Sequence, residues 1–327
     1  MATLFGFNAF VRVAVEDPAQ PYGTANTTPS QQEDVRLNSA GLQTAQERPR
    51  KTYLSVPSSG MLSDTFDAFR NAGGPIDIPI QYNGSGIFFY LATGTVATSA
   101  VGPNHSHLFT PNFDLPAATI QFQRGSNLAN SMEQFTGMMV SSMNISCAAG
   151  EELTASFEFI GKDSATRAGN ITSTFPSGDS CLHFEASTLT MGGTLAPSTV
   201  EIRSVDLSFD NKLERKNVLG SKLTSEPVIS DVREVTMSIT ADMDDNDVLA
   251  SHLDGKTGDV SLRYTSTADP NHMITFTLTN AVIEDYSDAV SSFGRVERTF
   301  SIRGLASSGA DGFKIVMVNA NSSATLG

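Results

Sequence analysis

Apolar and polar residues alternate over short stretches along most of the chain. The clearest case runs from Ala281 to Gly304, AVIEDYSDAVSSFGRVERTFSIRG. Val296, Arg298, Phe300 and Ile302 share one face of an extended strand, and Glu297, Thr299, Ser301 and Arg303 share the other. A period of two marks a strand with one wetter face. Ser291-Ser292-Phe293-Gly294 reads as the turn, with glycine supplying a positive φ, so the segment predicts a β-hairpin. Upstream, Ile274, Phe276 and Leu278 alternate with Thr275, Thr277 and Thr279. A second segment, Ala118 to Gly161, has the same design. Ile120 and Phe122 alternate with polar neighbours, a strand follows at GMMVSSMNISC, and LTASFEFIG closes after a turn at Ala149-Gly150. Phe157 and Phe300, Gly161 and Gly304, and Met139 and Val282 are separated by one spacing: 300 − 157, 304 − 161 and 282 − 139 all give 143. This predicts an internal repeat that sets the architecture.

The remaining pattern fits two copies of one plan. Val11, Val13 and Val15 predict a short strand. Residues 17–60 are polar, contain Pro18, Pro21, Pro29, Pro49 and Pro57, and show no sustained period. They read as a long loop, carrying the basic cluster Arg48-Pro49-Arg50-Lys51. LSDTFDAFRNAG predicts a helix stopped by Gly73-Gly74-Pro75. Ile76, Ile78 and Ile80 then predict a strand, GIFFYLATG a short helix, and Gly102 to Pro111 a loop. Residues 162–200, rich in Ser, Thr and Gly, mark the domain junction, with short strands expected at CLHFEAS and TLTM.

In the second half, Val205, Leu207 and Phe209 predict a strand before a second basic loop, Lys212-Leu213-Glu214-Arg215-Lys216. Val235, Met237 and Ile239 predict another. A helix at DNDVLASHLDG has Asp in its first turn, as the helix dipole favours. Strands follow at VSLRY, MITFTLT and, in the tail, GFKIVMVNA. Gly94 and Gly255 close the two helices. Ile78 and Ile239 keep the same spacing, 255 − 94 and 239 − 78 both giving 161. This order excludes a parallel α/β sheet, which needs helices between successive strands. It predicts a mainly β fold, an antiparallel sandwich or barrel with a helix on the flank of each half.

Composition adds limits. The 327 residues suffice for two domains, 1–165 and 166–327, and 39% hydrophobic against 17% charged residues allows a buried core. The net charge is −14 with a pI near 4.7. Such a surface does not grip phosphates, and DNA would slide past it. The uncharged stretch from Ile78 to Val101 is broken by Asn83-Gly84-Ser85-Gly86 and Thr93-Gly94-Thr95, which argues against a membrane span. The start, MATLFGFNAFVRV, lacks the basic region of a secretory signal. Cys147 and Cys181 are expected as free thiols of a chain folded in the cytoplasm, an isolated bridge being the alternative.

The candidate chemistry is thin. His105 and His107 would share one face of a strand, but zinc needs a third ligand and His183, His252 and His272 lie in unrelated segments. The acidic run Asp242 to Asp247 resembles the start of a calcium loop, but Asp247 stands where Gly is needed and Leu253 where Glu is needed. Nucleophile-elbow, phosphate-loop and dinucleotide motifs are missing. Glu151-Glu152 and Glu284-Asp285 are adjacent, so on a strand each pair diverges to opposite faces. Neither catalysis nor a cofactor or metal is expected.

Several stretches carry a family resemblance. IRSVDLSFDNKLE, VREVTMSITADMDDNDVLASHLDG, ITFTLTNAVIEDYSDAVSSFGRVERTFSIRG and KIVMVN resemble the tail tube proteins of long-tailed bacteriophages. IDIPIQYNGSGIFFYLATG, LPAATIQF and LTASFEFIGKD look like a divergent domain of the same kind. The resemblance implies two tandem tube-type β-sandwich or barrel domains, each with a flanking helix and a long loop. It implies strands joining edge to edge around a DNA channel, and stacked rings in the virion. Rings of this family usually hold six tube domains, so three such chains would complete one; six chains is the alternative. Tape-measure, tail terminator and distal tail proteins are the implied partners, with DNA passing unbound. Arg48, Arg50, Lys51, Lys212, Arg215 and Lys216 are candidates for contact between rings. Glu284, Asp285 and Asp288 are candidates for an acidic lumen. The rival readings are a tube of a contractile or type VI injection machine, and a β-sandwich adhesin or carbohydrate-binding module. The last is disfavoured by the lack of Trp and a total of six Tyr.

Overall fold

The alternating segments form antiparallel strands throughout. The computed structural model describes residues 8–51, 64–125, 131–166, 170–176, 181–195, 201–242, 247–267, 269–287, 297–307 and 311–323. The first half contributes β1 (Phe10–Val15), β2 (Gln32–Val35), β3 (Ser39–Ala40), β4 (Gln43–Gln46), β5 (Arg50–Lys51), β6 (Asp64–Thr65), β7 (Arg70–Pro79), α1 (Gly86–Thr93), β8 (Gly94–Val101), β9 (Asn104–Pro111), β10 (Ala118–Gln123), β11 (Met132–Ala148), β12 (Thr154–Gly161) and β13 (Asp163–Thr166). The second contributes β14 (Ser187–Met191), β15 (Glu201–Asp210), β16 (Leu213–Lys216), β17 (Ser225–Ile229), β18 (Glu234–Asp242), α2 (Asp247–Leu253), β19 (Thr257–Thr265), β20 (Met273–Ser287), β21 (Glu297–Arg303) and β22 (Phe313–Asn319). The fold is mainly β, as the alternation predicts.

One sheet runs through both halves in the order β4–β7–β12–β11–β15–β18–β21–β20. The long strands β11 and β20 each serve two layers. Their second portions belong to this sheet. Their first portions pair in β2–β1–β10–β11–β13 and in β14–β19–β20–β22–β9–β8. The core lies between the layers. Ile76, Phe157, Met143, Phe209 and Val235 form one buried row across five strands.

The two halves repeat in register. Met143 faces Phe157 and Tyr286 faces Phe300, both pairs shifted by 143 (286 − 143, 300 − 157). A β-bulge interrupts the first ladder between Val140 and Ser142 and the second between Ile283 and Asp285, again 143 apart. The ladders β10–β11 and β19–β20 also carry matching bulges, at Ala118/Ile120 and Gly258/Val260 (258 − 118 = 140). A bulge re-aims the strand that carries it, so both long strands turn between layers at the same place. Ile76 faces Phe157 and Ile239 faces Phe300, giving 239 − 76 = 163. The equivalent of Ile239 is therefore Ile76 rather than Ile78. A slip of two keeps the same face, so periodicity cannot detect it.

Other elements depart from the sequence pattern. Both helices were expected on a flank, but only α2 lies at the surface. In α1 every residue except Tyr90 is buried. Phe88 packs on Phe157 with ring centroids 5.0 Å apart, and Phe89 lies 6.0 Å from both Phe109 and Phe276. A helix that is apolar all round belongs inside. The helix expected at LSDTFDAFRNAG is absent from the described residues: Asp64–Thr65 and the stretch from Arg70 are strand, and Phe66 to Phe69 between them have no regular structure. Asn71, Gly73 and Gly74 are weak helix formers, and the ladders to β4 and β12 decide. The expected loop from Gly102 to Pro111 is mostly β9, which pairs with β8 and with β22 of the other half. CLHFEAS gives a 3₁₀ turn at Phe184–Ala186 instead of a strand. MITFTLT and the first arm of the final hairpin are one strand, β20. Its turn, Ser291 to Gly294, lies outside the described residues. Cys147 and Cys181 form no disulfide.

Candidate functional site

The outer face of the eight-stranded sheet carries a continuous set of polar rows. Residues directly opposite one another on neighbouring strands share a face, so the registers define its rows. One row is Asp77, Ser156, Asn144, Ser208, Thr236 and Arg303. The next is Thr154, Ser146, Asp206, Ser238, Ser301 and Asp285. Glu158, Ser142, Asp210 and Glu234 form a third. Apart from Asn144 and Arg303, the side chains in these rows are hydroxyls and carboxylates, with no aromatic ring. The pattern is the complement of the core: where Val205, Leu207 and Phe209 point inward, Asp206, Ser208 and Asp210 point outward.

The charge of this face is predominantly acidic. Lys212 Nζ lies 2.8 Å from Asp210 and 3.2 Å from Glu234. Arg303 Nε lies 2.9 Å from Glu284. Arg203 lies 3.0 Å from Asp242 and also pairs with Glu297. Burial pushes the Glu158 carboxyl above its usual range, Arg215 opposes this, and Asp77 adds to it. Asp206 and Asp285 are exposed. Among the described residues, no group of three or more His, Cys, Asp or Glu is placed to hold a metal. His107 is instead a buried structural group. Its Nδ1 lies 2.9 Å from Thr98 Oγ1, and its Nε2 lies 3.0 Å from Asn319 Oδ1 and 3.1 Å from Asn321 O. No described helix is long and apolar enough to cross a membrane.

The sheet ends on two edges. At one end, among the described strands, β4 pairs with β7 alone. At the other, the pairing of β20 with β19 stops at Val282, so Asp285 and Ser287 have β21 on one side and no described strand on the other. Exposed edges of this kind are usually blocked or consumed by assembly. The middle of the sheet shows a filled version. There β11, the equivalent of β20, pairs with β15 from Ser142–Asp210 to Ala148–Ser204.

A family model of phage tail tube proteins matches residues 6–308. The chain belongs to the phage tail tube protein family. It is thus a structural component of the virion, a tube subunit that assembles with itself and meets other tail proteins. No curated protein matches it in sequence.

In this tube protein the two basic clusters occupy corresponding hairpins. One lies between β4 and β7, the other between β15 and β18. Arg48 is 3.1 Å from Asp67. Lys212 holds Asp210 and Glu234, as above. Arg215 is half-buried, its Nη1–H donating to Gly161 O at 2.9 Å and its Nη2–H to Ala72 O at 2.7 Å. Arg50 and Lys216 are exposed. The side chain of Lys51 and the whole of Asp288 lie outside the described residues. Glu284 and Asp285 are both exposed, with Asp285 on the polar face. Asp77, Glu158 and Asp206 share that face and were missed from sequence. The signal was present in IDIPI and VDLSFD, whose polar positions mirror the apolar ones used to find the core.

Proposed function

We propose that three copies of this chain close into a ring, each giving two tube units, and that rings stack into the channel through which phage DNA reaches the host. The observation that carries this reading is the repeated register, bulges included, of β7, β10, β11 and β12 with β18, β19, β20 and β21. It supports a division near residues 162–200 into two units of one design. Six units around an axis then need three chains. Such an interface is head-to-tail and closes by rotation, converting eight-stranded segments into one barrel without edges.

The polar sheet face is the lining in this assembly. Its carboxylates repel phosphate, and the rows offer no ring for bases to stack on. The basic hairpins project toward the next ring, with Arg50 and Lys216 as the exposed contacts. Tape-measure, terminator and distal tail proteins meet the lumen and the two ends. A contractile-tail or type VI tube is the second reading, but its subunit is typically a single short domain, whereas two units fit this chain. Microscopy of the assembled protein tests the proposal. Rings with threefold symmetry and six similar units are expected; six equivalent chains per ring would refute it.

A further inference from the structure

The internal junction between the halves is a template for the contact between chains. Resting on the ring proposed above, we infer that β20 of one chain pairs antiparallel with β4 of the next, Asp285 opposite Ala45 and Ser287 opposite Gln43. Two transfers of register give this result. On the β20 side, Ser142 and Asn144 of β11 correspond to Asp285 and Ser287, both 143 later. On the β4 side, Phe209 faces Val235, the equivalent of Ala72 (235 − 72 = 163), and Ala72 faces Thr44. Hence Phe209 corresponds to Thr44 (209 − 44 = 165). Ser204 faces Thr240, the equivalent of Asp77 (240 − 77 = 163), and Asp77 faces Ser39, so 204 − 39 also gives 165. Two separate strand pairs agree on one spacing. Since Ser142 faces Asp210 and Asn144 faces Ser208 within the chain, their counterparts are Asp285 with Ala45 and Ser287 with Gln43.

The hydrogen-bond phase transfers as well. The β11–β15 ladder is flanked by Ala149 N–H donating to Arg203 O and Asn211 N–H donating to Ser141 O, each at 2.8 Å. Bonded pairs in an antiparallel ladder alternate with non-bonded ones. Ser142–Asp210 and Asn144–Ser208 are therefore non-bonded pairs, and so are their two counterparts between chains. Non-bonded pairs bring Cα atoms to about 4.5 Å, within the range of a disulfide. The face is consistent too. Gln43, Ala45, Asp285 and Ser287 are exposed, whereas Leu42 is buried. The junction extends the polar lining on one side and the core on the other.

Cysteine cross-linking of the full chain tests the register. Ala45→Cys/Asp285→Cys should oxidise to covalent species that end at three chains, and each single variant should stay uncross-linked. Gln43→Cys/Asp285→Cys, one step out of register, should cross-link poorly. Rings that form normally while the in-register pair fails to cross-link would overturn the register and leave the ring intact. Native protein that forms no rings would instead refute the ring. A ladder ending at six would support the register and overturn the three-chain count. Should the double variant not assemble, amide exchange in the native chain decides. Segments 43–46 and 285–287 should gain protection on assembly, and unchanged exchange there would overturn the pairing.

Discussion

Replacing Arg215 separates a role inside the chain from one between rings. Its guanidinium spans two backbone carbonyls, Gly161 O at the end of β12 and Ala72 O in β7, and so clamps β16 across the edge of both strands. It lies against Gly73, where an added Cβ would sit 3.2 Å from Nη2. Burial pulls the guanidinium pKa below its usual value, opposed by Tyr22 and Glu158, yet arginine stays charged at any working pH. A hydrogen bond to a charged donor contributes about 1.5–3 kcal/mol. Two such bonds at a half-exposed site, where water restores part of each, suggest a loss of about 2–4 kcal/mol for Arg215→Ala. Arg215→Lys offers one compact donor instead of a fork and should fall between the two. Lys216→Ala, at an exposed position on the same strand, should stay within about 0.5 kcal/mol. Urea unfolding of the unassembled chain, followed by circular dichroism, compares the midpoints at equal slope. If Arg215→Ala unfolds at the native midpoint but no longer forms tubes, the clamp is refuted and Arg215 acts between rings.

Three further outcomes are expected. Phe157 and Phe300 are equivalent and almost fully buried, so either Ala substitution should cost about 3–5 kcal/mol; a loss under about 1 kcal/mol at one of them would mean the two sites pack differently. Burial holds the His107 pKa below the ordinary 6.5, with Asn319 and Asn321 opposing. The unfolded chain therefore takes up the proton first, and this contribution to stability is complete above pH 6.5 and declines as pH falls through it; urea titrations of His107→Gln should show a flatter curve between pH 5 and 7, and an unchanged slope would refute this. Asp206→Lys places a cation in the middle of the polar face and should slow DNA ejection from assembled virions with tube length unchanged; native ejection rates would remove the argument for an electrostatic lining.

The strands were legible because each half-buried ladder writes its period into the sequence. Val205, Leu207 and Phe209 identify both a core face and, by complement, a polar face. The 143-residue spacing was equally visible, since the hairpin residues it links keep their size and order. What stayed hidden depended on partners distant in sequence. The strand Arg70–Pro79 begins in a segment with helix-like apolar spacing and is decided by its two neighbours. The hairpin β8–β9 has weak alternation and is ordered by Phe313–Asn319, some 200 residues later. Arg215 looked like any exposed cation, because nothing local says that two strand ends will bring their carbonyls to it. The lumen candidates suffered the same limit: Glu284 and Asp285 are adjacent, and only the bulge at Ile283/Asp285 determines which of them continues a row of the ladder.

The repeat is broken between β7 and β10, and the break bears on assembly. Between β7 and β10 the first half has α1, β8 and β9, whereas between β18 and β19 the described residues of the second half form α2 alone. The insert does not extend the continuous sheet. It packs Phe89 against Phe276 and pairs β9 with β22, binding the first half to the outer layer of the second. The Asn319 side chain adds Nδ2–H donation to Tyr82 O at 2.6 Å and contact with His107. A junction held by β11–β15 alone could be made between any two units. This one has a second clasp, which only a fused pair possesses. In a three-chain ring the clasp would recur at every other junction, so the inner barrel can approach sixfold symmetry while the outer layer is threefold. The junction between chains would then rely on the β4–β20 edge with less help from the outer layer, and should be the first to open when a ring is taken apart in denaturant. Partial denaturation of tubes should therefore release folded single chains before the β11–β15 ladder gains exchange. Loss of that ladder while chains are still joined at β4–β20 would reverse the order of strength and refute the asymmetry.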